Sequence, residues 1–300
     1  MLNKAPASAP SLDSETESIA SRRAALKLAL GAGYAVVASP SMAQSVVTTS
    51  SEGLTTGVEI YDVAGSTVPF YYAMPEGKTQ LPVLLVVHDI FGLGDHIKDV
   101  ARRFAKAGYL AVVPDLYARY GDATKYTDIA QLMADIVSKV PDEQLMDDLD
   151  GAVQWASDNG GDANKVGITG FCSGGRVTWL YAEYSNKIKA AVAWYGLLVG
   201  NKTELTPNHP LDLAPQLKVP VLGLYGDQDQ IVTMGALKQM KAALAEAGTK
   251  GNAAAKASTF VLYPKANHAF YNDRRPTYQK KAAEDGFKRT LAWLKAKGVV

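Results

Sequence analysis

A single cysteine in 300 residues excludes an internal disulfide, so the fold must rest on a packed core. A lone thiol also excludes a C-x-x-C pair and the dithiol chemistry that goes with it. Neither charge dominates: 31 basic and 30 acidic residues leave a net charge of +1, with no basic run to support a nucleic-acid partner. No apolar stretch reaches the roughly 20 residues that span a bilayer. No glycine-rich dinucleotide fingerprint or Walker lysine is present, and neither metal nor cofactor is expected. Histidines are few enough to weigh singly: His88, His96, His209 and His268.

The first 43 residues differ from the rest. A Ser-, Ala- and Pro-rich lead runs into Ser21-Arg22-Arg23-Ala24-Ala25-Leu26-Lys27, then the short apolar run Leu28 to Ala38, then Ser41-Met42-Ala43. A twin-arginine pair, a brief apolar stretch and small residues at a cleavage site describe a twin-arginine-type export signal. The run is too short and too rich in Ala and Gly for an anchor. Residues 1–43 are therefore expected to be removed, leaving 44–300 in the periplasm or outside the cell with no membrane attachment. The segment holds four basic residues (Lys4, Arg22, Arg23, Lys27) and three acidic ones (Asp13, Glu15, Glu17), so 27 of each sign remain and cancel.

From Gly57 the chain alternates strand-like and helix-like segments. Strands are expected at Val58–Val63 and Val68–Ala73 (a hairpin through Ala64-Gly65-Ser66), Pro82–Val87, Tyr109–Val113, Val166–Thr169, Ala190–Trp194, Val219–Tyr225 and Phe260–Tyr263. Helices are expected at Ile97–Ala107, Thr127–Lys139, Pro141–Asn159, Gly174–Tyr184, Met234–Ala247 and Pro276–Lys297, with Asn201–Leu217 as a surface excursion. Such alternation implies one α/β domain: a mostly parallel sheet, helices on both faces, and an antiparallel N-terminal edge.

Open parallel sheets bind ligands at the carboxyl ends of their strands. Beyond Thr169 lies Gly170-Phe171-Cys172-Ser173-Gly174-Gly175, then a helix. This is the G-x-nucleophile-x-G elbow of α/β-hydrolases with cysteine in the central place. Small residues are required two positions either side of the nucleophile; Gly170 and Gly174 satisfy this around Cys172, whereas centring on Ser173 would put Phe171 in a crowded position. The helix N-terminus favours a thiolate. His268 follows the last strand and is the candidate base. His96 and His209 read as solvated bystanders, and His88 as a positioning residue. Gly226-Asp227-Gln228-Asp229 offers two acids to orient the base, and spacing does not separate Asp227 from Asp229. The backbone N–H groups of Ser173 and Ile90 are the candidate oxyanion donors. Asp89 is either a resting partner of the thiol or a turn residue. His88, Tyr117, Trp194, Tyr195 and Phe270 are candidate pocket residues.

His88-Asp89-Ile90-Phe91-Gly92, Pro114-Asp115-Leu116-Tyr117-Ala118-Arg119, Gly170 to Gly175 and Asn267-His268-Ala269-Phe270 together resemble the dienelactone hydrolase (carboxymethylenebutenolidase) family, from about Gly57 to the C-terminus. The resemblance implies a metal-free Cys-His-Asp triad that opens a lactone through an acyl-thiol, with Asp229 as its acid. It also implies a carboxylate that pairs with the resting thiol; the family uses glutamate where this chain has Asp89. The family's arginine four residues after the histidine is Asn272 here, with Arg274 and Arg275 just beyond. Between Tyr120 and Pro141 only Lys125 and Lys139 are basic, so the dienelactone substrate does not transfer with the fold.

The function expected is hydrolysis of a small-molecule ester or lactone by a monomer or small homo-oligomer. A thioester or amide hydrolase, or an acyltransferase, would use the same triad and differ in its leaving-group preference. A non-catalytic binding protein would not require cysteine, histidine and aspartate at three separate strand ends.

Overall fold

In a computed structural model, which describes residues 46–300, the expected strands appear as β1 (Leu54–Val63), β2 (Ser66–Pro75), β3 (Leu81–Val87), β4 (Leu110–Pro114), β5 (Gly161–Phe171), β6 (Ala190–Trp194), β7 (Val221–Gly226) and β8 (Thr259–Tyr263). The expected export signal over 1–43 lies outside the described residues. The strands form one sheet in the order β1-β2-β4-β3-β5-β6-β7-β8. The β1–β2 hairpin and the β2–β4 pair are antiparallel, and every pair from β4 through β8 is parallel. Among the described residues no helix is long and apolar enough to cross a membrane.

The helices are α1 (Asp95–Lys106), α2 (Ile129–Asp135), α3 (Asp142–Asp158), α4 (Ser173–Tyr184), α5 (Pro210–Leu213), α6 (Met234–Thr249), α7 (Ala253–Ala257) and α8 (Lys280–Ala296). They cover both faces of the sheet. Because strand side chains alternate, Val83, Leu85 and Val87 of β3 pack with Leu145 and Leu149 of α3 and Trp179 of α4. Leu84 and Val86 face the other way, against Val100 and Phe104 of α1 and Leu294 of α8. Two buried layers explain why β3 reads as an unbroken apolar run.

Several expected boundaries are corrected. The helix expected over Thr127–Lys139 starts at Ile129, where Asp128 accepts the Gln131 N–H at 3.1 Å. It breaks at Ile136, whose φ of −123° leaves the helical path, and a 3-10 turn over Val137–Lys139 follows. Pro141 is the N-cap of α3 and not its first turn, with Asp142 and Glu143 at the positive end of the helix. α8 starts at Lys280, later than Pro276, because Asn272 to Tyr278 closes successive turns onto Asn272 O and Arg275 O. β5 begins five residues before Val166: Gly161 and Asp162 pair with Leu81 and Pro82, then the register slips and Val166 pairs with Val83.

Candidate active site

β5 ends at Phe171 and α4 begins at Ser173, so one residue makes the whole turn. That residue is Cys172, with φ +56° and ψ −114°, a conformation that side-chain-bearing residues seldom adopt. The turn is held from both sides. Cys172 N–H donates to Trp194 O at 3.0 Å, and Cys172 O accepts the Arg176 N–H at 3.1 Å. Glycine is required around it: a Cβ on Gly170 would lie 2.2 Å from Gly174 O, and one on Gly174 would lie 2.4 Å from the carbonyl oxygens of both Val87 and His88.

The loop after β8 brings His268 to this turn, and the loop after β7 brings Asp229. Cys172, His268 and Asp229 are 5, 7 and 6 % exposed. His268 Nδ1 lies 2.8 Å from Asp229 Oδ2, while Asp229 Oδ1 accepts the N–H groups of Ile231 (2.8 Å) and Val232 (2.9 Å). The imidazole also interacts with Cys172. The edge of the Tyr195 ring stands 5.1 Å from the imidazole. Burial alone would depress the basicity of His268. Electrostatic interaction with Cys172 and the hydrogen-bonded Asp229 carboxylate outweigh it and lift its pKa from 6.5 to about 10. Asp227 does not reach the imidazole; its Oδ1 accepts the Lys265 N–H at 2.6 Å and staples the β7 and β8 loops together.

Opposite the thiol is the loop after β3. Asp89 gathers two of its amides, Phe91 N–H on Oδ1 (2.9 Å) and Gly92 N–H on the main-chain oxygen (3.3 Å). Ile90 follows Asp89 directly and is buried. Ser173 is the first residue of α4, so its N–H has no intrahelical acceptor. His88 fixes the loop: its Nδ1 lies 2.7 Å from Asp89 O and its Nε2 accepts the Leu116 N–H at 3.1 Å. Two main-chain partners therefore occupy both ring nitrogens.

The match to known proteins decides the lineage. The family model described as "Dienelactone hydrolase family" matches residues 68–298. The chain belongs to the dienelactone hydrolase family. It is 46 % identical over 280 residues to a "Putative carboxymethylenebutenolidase" of Methylorubrum extorquens, covering 93 % of this chain and 94 % of that protein. It is 44 % identical over 267 residues to a protein of the same name from Escherichia coli K12, covering 89 % and 96 %. Among solved structures it is similar to that of a "Putative Dienelactone Hydrolase" from Klebsiella pneumoniae, with a TM-score of 0.77 and 45 % identity over 81 % of this chain and 98 % of that one. The protein is a dienelactone hydrolase-like enzyme of the α/β-hydrolase fold.

In this hydrolase a cavity of about 470 Å³ opens beside the elbow, lined by Asp89, Phe171 and Tyr195 near the thiol. Further out its walls are the first turn of α1 and the basic side chains Lys98, Arg274 and Arg275. Arg275 stacks on Phe91, with its guanidinium carbon 4.1 Å from the ring centre. Of the expected pocket residues, only Tyr195 lines this cavity. The others are placed as follows. Trp194 and Phe270 sit in the aromatic core beneath it, where the Trp194 indole donates to Thr169 Oγ1 at 3.2 Å and its ring packs on Tyr271. His88 is buried in the loop bonds described above. Tyr117 is buried under the elbow, its hydroxyl 3.4 Å from Ser173 Oγ.

Nor are the remaining histidines solvated. His209 is buried and accepts from Arg176 Nε at 3.2 Å, and Arg176 also grips Asp142 with two bonds of 2.6 and 2.8 Å. His96 lines the cavity and meets Asp273 at 3.1 Å through Nδ1. Sequence reasoning missed Asp273. Its signal was an acidic residue five positions beyond His268, between Asn272 and Arg274.

Proposed function

We propose that this hydrolase cleaves a carboxylic ester or lactone through Cys172, His268 and Asp229, by way of an acyl-thiol intermediate. One arrangement carries the proposal: a buried Asp229 carboxylate hydrogen-bonded to the His268 imidazole, which in turn interacts with Cys172 on a strained strand-to-helix turn. In the proposed cycle the Cys172 proton passes to His268, whose pKa is raised to about 10, which leaves a thiolate beside an imidazolium. Cys172 Sγ attacks the carbonyl carbon, and the oxyanion that forms accepts the N–H groups of Ser173 and Ile90. Collapse breaks the C–O bond, and the leaving alkoxide takes the proton from His268 Nε2; in a lactone it stays attached as a hydroxyl group. Neutral His268 then draws a proton from water, the hydroxide attacks the thioester, and the acid leaves as the thiolate and imidazolium are restored. Asp229 holds the ring orientation throughout.

The cavity wall is mixed in charge, with Lys98, Arg274 and Arg275 beside Asp89 and Asp95 and Arg274 paired to Asp95 at 3.3 Å, so a neutral and an acidic acyl group are compared in the test. The twin-arginine pair and the small residues at Ser41-Met42-Ala43 support action in the periplasm or outside the cell. A mature N-terminus at Gln44, read by mass spectrometry of protein recovered from its source, tests that placement. The chemical proposal is tested with Cys172→Ala and His268→Ala on p-nitrophenyl acetate and an acidic homologue. Both variants are expected to lose at least about a thousandfold in kcat. An acyl adduct on Cys172 should be trapped on rapid quenching. Wild-type rates in both variants would exclude this chemistry.

A further inference from the structure

We infer that the extended segment Val46–Ser50 is a strap that positions the proposed active site, acting through Asp273. The segment precedes the part of the chain that the family model matches, which begins at residue 68. It lies across α1, and its main-chain groups are used in bonding to two buried carboxylates and an arginine. Val47 N–H donates to Asp273 Oδ2 at 3.0 Å. Thr49 N–H donates to Asp99 Oδ1 at 2.6 Å, and Thr49 O accepts from Arg102 Nε at 2.8 Å. Arg103 joins the two acids, giving Nε to Asp99 Oδ2 and a terminal nitrogen to Asp273 Oδ2, both at 2.7 Å. His96 completes the set on Asp273 Oδ1 at 3.1 Å.

The position of Asp273 makes this more than a surface tie. It is five residues past His268, in the loop that carries the proposed base. Its neighbours Asn272 and Arg274 line one wall of the cavity, while Gly94, Asp95 and His96 of the α1 end line another. Asp273 thus clamps one wall to the other, and the Val47 amide is one of the three donors that hold the clamp. A buried carboxylate stays charged and fixed only while its acceptor sites are filled. Here burial would raise the pKa of the Asp273 carboxyl, but His96 and Arg103 hold it down at about 2. Loss of the strap amide leaves the charge in place with one donor fewer, so the loop is held less firmly against the α1 end by His96 and Arg103 alone. Asp273 is therefore a positioning residue and the strap is part of its support.

This inference rests on the reading of His268 as the base, and the test keeps the two apart. Val47→Pro in the full chain deletes the strap's N–H to Asp273 and leaves the Arg103 and His96 contacts in place. Val46→Pro, at an exposed position one residue earlier, leaves that donor intact. Val47→Pro is expected to lower kcat/KM by about three- to tenfold, mainly through KM, with the melting temperature near wild type. Hydrogen exchange should quicken in the 264–279 loop and the first turn of α1, and not in α3 or α6. Val46→Pro is expected to match wild type in every measurement. Unchanged exchange in the loop, or the same loss in Val46→Pro, overturns the inference. Should Val47→Pro fail to fold, Asp273→Asn replaces it, and a wild-type KM there is equally fatal. Failure to trap an acyl group on wild-type Cys172 would instead remove the triad reading, and the exchange result would still judge the strap.

Discussion

Replacing Asp229 by asparagine isolates what the carboxylate does for His268, the proposed base. The substitution keeps an oxygen that can still accept the Ile231 and Val232 amides, so the loop after β7 should hold its shape. On the other side an N–H₂ group meets the Nδ1–H of His268, donor against donor. The ring must then turn or settle in the other tautomer, with its proton on Nε2, where it can no longer accept one from the thiol or from water. A rise from 6.5 to about 10 corresponds to about 5 kcal/mol of preference for the imidazolium, shared between Cys172 and Asp229. Because the folded pKa lies above the ordinary one, the pair's stabilisation is fully present below about 6.5 and is lost as pH rises through about 10. Asp229→Asn removes the second of these contributions. It should bring the alkaline limb of the kcat profile down by at least about one pH unit and lower kcat by about 10²- to 10⁴-fold. Ester turnover and the ultraviolet absorbance of the thiolate, followed together from neutral to alkaline pH, give both readouts. If kcat and the alkaline limb both stay at their wild-type values in a folded Asp229→Asn protein, then Asp229 does not set the state of His268 and the mechanism is wrong.

Two further substitutions probe the frame around the site. Gly174→Ala forces a methyl group to within 2.4 Å of the Val87 and His88 carbonyl oxygens, where only backbone can yield. We expect a loss of at least about 2 kcal/mol in urea unfolding together with loss of ester turnover, since the displaced backbone carries Ile90. Normal stability and turnover would contradict that packing. Arg119→Met leaves Asp148, which is 0 % exposed, without the guanidinium that binds it at 2.6 and 2.8 Å. Stranding that charge should cost about 3–5 kcal/mol, which a urea denaturation curve resolves, and a change below about 1 kcal/mol would show that the pair contributes little.

The periodicities that make a parallel sheet were plain in the sequence, and so were its carboxyl-end loops. Beyond those, legibility fell with distance along the chain. Cys172 could be chosen over Ser173 from local crowding alone, because the glycines that relieve it are two residues away. Asp227 and Asp229 could not be separated by spacing; the choice is made by Lys265 and His268, on another loop. His96 and His209 looked solvated because their partners, Asp273 and Arg176, are 177 and 33 residues away. Trp194 and Phe270 adjoin the site in sequence, but their side chains point into the α8 side of the sheet. The start of β5 was lost for a different reason: Asp162-Ala163-Asn164-Lys165 has the composition of a turn, and the strand is extended only by the pairing of Gly161 and Asp162 with Leu81 and Pro82 ahead of that irregular stretch.

Sheet order gives the proposed triad an uneven resistance to opening. Cys172 and the Asp89–Ile90 loop end β5 and β3, neighbours in the middle of the sheet with a paired strand on either side. His268 follows β8, which closes the sheet at one edge. Local opening begins at edges and reaches the centre last. On mild heating we therefore expect the loop of His268 to loosen before the elbow does. Activity then fades before the core melts, and in that interval the thiol sits in its turn without the proton donor that guards it.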